Sequence, residues 1–110
     1  MFMRLFAEAD NSETAAKMVE DICNVLQKEI KVVEIVKNEP YWKMQGVYVL
    51  EIKIDFRGAL STSTLNEFLT ALSDTWLFFG DPVNEALASD ANQDCTYIKK
   101  GLKMINLFID

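Results

Sequence analysis

The stretch Gly46 to Arg57, GVYVLEIKIDFR, is the longest run in the chain that admits one reading. Tyr48, Leu50, Ile52, Ile54 and Phe56 alternate with Val47, Val49, Glu51, Lys53, Asp55 and Arg57, and a period of two puts one row of side chains on each face of a β-strand. The even row needs a core. The odd row begins apolar and becomes charged, so its second half belongs to water or a polar partner, as on the open face of an antiparallel sheet.

Upstream, Lys31 to Val36 is short and rich in Val and Ile, which predicts a strand. Lys37, Asn38, Glu39 and Pro40 break it, because Pro40 removes an amide donor and turns Glu39 away from helical angles; the two strands then form a hairpin. Before them, Ala15, Met18, Val19, Ile22, Cys23, Leu26 and Ile30 repeat at three-and-four spacing, the buried stripe of a helix. Asp10, Asn11 and Ser12 offer N-cap oxygens for it. Met1 to Ala9 alternates as a first strand with two partly apolar faces.

Downstream, Gly58 opens a polar run that resembles a linker, but Thr64 with Glu67 fits a capping box, and Leu65, Phe68, Leu69 and Leu72 supply a second helical stripe. Trp76 to Phe79 suits a buried strand. Pro82 to Ala88 has the proline-first start of a short helix, Ser89 to Cys95 reads as a loop, Thr96 to Ile98 as a short strand, and Met104 to Ile109 as a closing strand. This order predicts one α+β domain over residues 1–110, a ferredoxin-like split β-α-β sandwich. Two helices cover one face of an antiparallel sheet with the first and third strands at its centre, followed by a short C-terminal helix and extra strand.

Length and composition agree with a soluble globular domain: 110 residues, half of them hydrophobic and a quarter charged, enough chain to bury a core without staples. No apolar run approaches the roughly 20 residues of a membrane-spanning helix, and Arg4 interrupts the first strand where a secretory signal would be apolar. A cytoplasmic location is the expectation. Cys23 lies beside a helical stripe as a small hydrophobe, and Cys95 lies in a polar loop open to oxidation; a disulfide between them stays open.

Charge is uneven. Of the formal −6, the segment Gly58 to Ile98 holds Glu67, Asp74, Asp81, Glu85, Asp90 and Asp94 with no Lys or Arg, while the rest of the chain cancels. A one-signed region attracts basic partners and repels nucleic acid; a solvated face kept for solubility is the plain alternative.

The chain has no histidine, which removes the usual general base, the commonest metal ligand and every His-dependent triad. None of the four glycines belongs to a phosphate-cradling loop. Asp90, Asn92 and Asp94 match the first three ligands of a calcium loop, but Cys95 stands where the loop needs glycine and Gly101 where it needs a bidentate Glu. Asp81 and Glu85, four apart on the expected helix, suit a binding patch better than acid–base chemistry. An RNA-binding sheet needs stacking aromatics in a basic setting, whereas the odd row offers Val47, Val49, Glu51 and Lys53. No enzyme, cofactor, metal or nucleic acid is expected.

The stretch Glu34 to Phe56, EIVKNEPYWKMQGVYVLEIKIDF, with the helix Leu65 to Leu72 and Trp76 after it, resembles small immunity proteins encoded beside bacterial polymorphic toxins of contact-dependent inhibition systems. The shared parts are the Pro-aromatic-Trp turn, a glycine, and a long alternating strand ending in an acid; they cover about half the chain and contain no catalytic signature. The resemblance implies a protein that binds a cognate toxin and occludes its active site, in many cases a nuclease with a basic cleft. The contact residues are read from charge and not carried over: Asp81, Glu85, Asp90 and Asp94 form the expected toxin-binding patch, with Trp42 as an aromatic anchor. Such a protein acts as a monomer or weak homodimer. The competing expectation is a small regulatory or ligand-sensing domain that dimerises through its sheet, using Val47, Val49 and Met1 or Phe2 as an exposed apolar half-row.

Overall fold

The structure is a computed structural model that describes residues 1–109. Within them, six strands make one antiparallel sheet, in the order β2 (Ile30–Pro40), β3 (Val47–Phe56), β1 (Phe2–Glu8), β6 (Leu102–Phe108), β5 (Glu85–Ser89), β4 (Leu77–Phe79). Two α-helices, α1 (Ser12–Cys23) and α2 (Thr62–Leu72), complete an α+β architecture.

The decisive strand behaves as its alternation requires. Leu50, Ile52 and Ile54 are buried in one cluster with Met3, Leu5 and Ala7 of β1, Ile105 and Leu107 of β6, Val19 and Ile22 of α1, and Phe68, Leu69 and Leu72 of α2. Tyr48 and Phe56, at the ends of the row, pack on it half-buried. Because β1 and β3 lie side by side in the interior, each residue of one faces a residue of the other: Leu5 opposes Leu50 and Met3 opposes Ile52. Both helices share this core, so they occupy the same side of the sheet. On the other face Arg4 donates from Nε to Glu51 Oε2 at 2.9 Å, and Asn106 donates to Glu85.

Helix ends follow local chemistry. The Asn11 side chain accepts the Thr14 N–H at 2.8 Å and starts α1. At α2 the cap is Ser61, whose hydroxyl accepts the Thr64 N–H at 3.1 Å; the helix therefore begins a turn before the expected Thr64–Glu67 box. After α1, a 3-10 turn over Asn24–Leu26 buries Leu26 and leads into β2.

Four expectations are corrected. The short helix over Pro82 to Ala88 does not form: Glu85–Ser89 is β5, in register with β6. Its alternation is Ala86 and Ala88, buried, against Glu85, Leu87 and Ser89, and small side chains there let the strand lie flat against the core. β2 runs through the Lys37–Pro40 breaker, because an edge strand tolerates proline at its end. Thr96–Ile98 is no strand but contributes one bridge, Ile98 to Ser73. The apolar half-row is not exposed: Val47 is 4 % and Val49 7 % accessible. Val49 sits opposite Phe6, and the Tyr41 ring meets Phe6 edge-on at 5.0 Å, so the chain covers that end of the face itself.

Candidate functional site

Strand direction decides which acids meet. β4 and β5 form a hairpin with its turn at Gly80–Asn84. Gly80 takes φ +97°, and a Cβ there would meet Asn84 Oδ1 at 2.5 Å, so this turn requires glycine. Asp81 is exposed in that turn. Glu85 opens β5, half-buried, and accepts from Asn106 Nδ2 at 2.9 Å. Asp90 follows the opposite end of β5, a strand length of about 17 Å away, and pairs with Lys103 at 3.0 Å. Asp94 lies in the loop beyond, where its N–H donates to Asn92 at 2.9 Å and its carbonyl accepts from the Thr75 hydroxyl at 3.2 Å.

The five expected contact residues therefore fall into two groups. Asp81 and Glu85 share the hairpin end of β5. Asp90, Asp94 and Trp42 share the other end of the sheet, where β2, β1 and β5 finish and β3 and β6 begin. Trp42 is 83 % accessible, with Lys43 Nζ 5.0 Å from its ring centroid and the Tyr41 ring tilted beside it at 6.3 Å between centroids. Lys103 Nζ lies between Asp90 and, at 3.7 Å, Glu8. Those two acids hold its ammonium above the usual lysine range, Asp90 foremost.

An apolar surface accompanies the first group, and the aromatic run was expected to be buried. Leu77, Phe78 and Phe79 are 47 %, 52 % and 44 % accessible, and Val83 in the turn is 51 % accessible. Trp76 alone turns inward: it packs half-buried on the core, and its indole N–H donates to the Leu69 carbonyl at 2.9 Å. The sequence signal for exposure was topological and not local, since β4 is the last strand of the sheet.

The remaining titratable features are structural. Asp74, after α2, accepts from the Thr96 hydroxyl, the Tyr97 N–H at 3.1 Å and the Thr96 N–H at 3.2 Å. Those bonds, the hydroxyl first, hold its carboxyl down to about 2. Ser73 beside it is buried and donates to the Tyr97 carbonyl at 3.0 Å. Both cysteines are free thiols. Burial pushes Cys23 up to about 11, as befits a small hydrophobe in the wall of a groove of about 970 Å³ between α1 and β2. That groove is lined by apolar residues such as Val33 and Ile35 and by charged and polar ones such as Lys17, Glu20, Asp21 and Asn24. Among the described residues, no three His, Cys, Asp or Glu side chains are placed to hold a metal ion, and no helix is long and apolar enough to cross a membrane.

No family model, no curated protein and no solved structure matches the chain.

Proposed function

We propose that this chain is an immunity-type protein, a cytoplasmic inhibitor on a ferredoxin-like split β-α-β plan that binds a cognate toxin domain and occludes its active site. The toxin class it suits is a nuclease with a basic cleft. The observation that carries this reading is the β4–β5 hairpin, where four half-exposed apolar side chains adjoin Asp81 and Glu85 inside a segment, Gly58 to Ile98, without one Lys or Arg. Tight interfaces combine a desolvated apolar centre with a charged rim that steers encounter. The order β2-β3-β1-β6, with α1 joining β1 to β2, supports the plan.

The test is co-expression with the toxin domain encoded beside this gene, followed by assay of toxin activity and association rate against the purified protein. Asp81→Lys should slow association about tenfold or more at low salt and lose that effect at high salt. Asp94→Lys, at the far end of the sheet, separates the two acidic groups: the larger effect marks the end that faces the toxin. A toxin that stays fully active in the presence of excess protein refutes the proposal.

A further inference from the structure

We infer that the free edge of β4 receives an additional strand from a basic, apolar segment of the partner protein; this deepens, and rests on, the inhibitory reading above. β4 ends the strand order, and among the described residues no strand pairs with its outer edge. Its three side chains alternate between the two faces of the sheet, Phe78 with buried Ala86 and Leu77 and Phe79 with Leu87 and Glu85. All three are nevertheless about half exposed, so neither face of the strand is covered.

The opposite edge shows what protection looks like. β2 is interrupted by register shifts between Ile30 and Val32 and between Ile35 and Lys37, carries Lys31 and Lys37, and ends in Pro40. Bulges, lysines, proline and shortness are devices that stop an edge from pairing with another chain. β4 carries no charge, no proline and no register shift, and only its three-residue length limits it.

Charge selects the occupant. Asp74 precedes β4, Asp81 follows it, and Glu85 stands opposite Phe79. A second copy pairing along this edge would bring that acidic segment against itself. A segment of alternating apolar and basic residues meets none of that repulsion: its main chain extends the sheet, its apolar side chains cover Phe78 on one face, and its lysines stand on the other, the face of Glu85, with Asp81 in the adjoining turn.

Two experiments decide it. In the first, a ten-residue peptide of alternating Val and Lys is titrated into the isotope-labelled protein and followed by amide NMR and hydrogen exchange. The expected result is shifted and slowed amides at Leu77, Phe78 and Phe79, weakening with salt, about tenfold weaker binding by Phe78→Ser, and no binding by a Val–Glu peptide or by a Val–Lys peptide N-methylated at every second residue. No shift at millimolar peptide, shifts confined to β2 or the α1–β2 groove, or equal binding of the N-methylated peptide overturns strand addition; equal binding of the Val–Glu peptide overturns the charge selection. Because Phe78 is half exposed, its substitution leaves the fold in place, and circular dichroism checks that. In the second experiment, hydrogen exchange is measured in the complex with the toxin domain. Inhibition with unprotected β4 amides keeps the immunity function and discards strand addition. Binding of the Val–Lys peptide at β4 by a protein that fails to inhibit the toxin discards the function and keeps the strand site.

Discussion

The carboxylate of Asp74 is clasped by Thr96, which gives it both its hydroxyl and its backbone N–H, the latter at 3.2 Å. This contact ties the segment after α2 to the loop before β6, across 22 positions of sequence. Its carboxyl is held below the ordinary value, to about 2, so the folded state binds that proton less readily than the unfolded chain. The stabilisation is therefore full above the unfolded value near 3.8 and disappears as the pH falls toward about 2. Asp74→Asn should speed hydrogen exchange at Thr96 and Tyr97 at neutral pH. It should also flatten the acid dependence of stability between pH 4 and pH 2, measured by urea unfolding at a series of pH values.

Phe68 is fully buried where α2 meets the sheet. Phe68→Ala removes its contacts and leaves a cavity, and should cost about 3–5 kcal/mol in urea unfolding. A loss below about 1 kcal/mol would mean that α2 does not pack as described.

Trp42 contributes almost no buried area, being 83 % accessible. Trp42→Ala should change unfolding free energy by no more than about 0.5 kcal/mol. It should also remove the most readily iodide-quenched part of the tryptophan emission and leave the weaker-quenched signal of half-buried Trp76.

The Cys23 thiol, pushed up by burial from 9.0 to about 11, is poor in thiolate. At pH 8 it should react with iodoacetamide about tenfold more slowly than an unperturbed thiol, the loss of thiolate outweighing the greater nucleophilicity of a more basic one. Mass spectrometry of the alkylated tryptic peptides reads the rate at this site directly.

The parts of the fold that were legible are those where side-chain period and burial agree. The alternation of Tyr48 to Phe56 and the stripes of α1 and α2 declare which face is inside, and the core uses those faces. Glu85–Ser89 was misread because Ala86, Leu87 and Ala88 are all apolar, which hides a period of two behind a run that fits a helix turn equally well. The run Trp76 to Phe79 reads as buried because composition reports hydrophobicity and not position; the exposure of Leu77, Phe78 and Phe79 follows from being outermost in the sheet, a property of the whole topology. The candidate site suffered likewise. Asp81, Glu85, Asp90 and Asp94 are close in sequence, but an extended strand carries Asp90 a full strand length from Glu85, whereas a helix would have kept them on neighbouring turns.

The hairpin is anchored to the core by two alanines, Ala86 and Ala88, while β4 beyond them touches little else. Mutational tolerance is therefore divided sharply across one pair of strands. Enlarging either alanine lifts β5 from the core, whereas substitutions at half-exposed Leu77, Phe78 and Phe79 cost folding far less. The outer strand can therefore be rewritten while the scaffold beneath it stays unchanged.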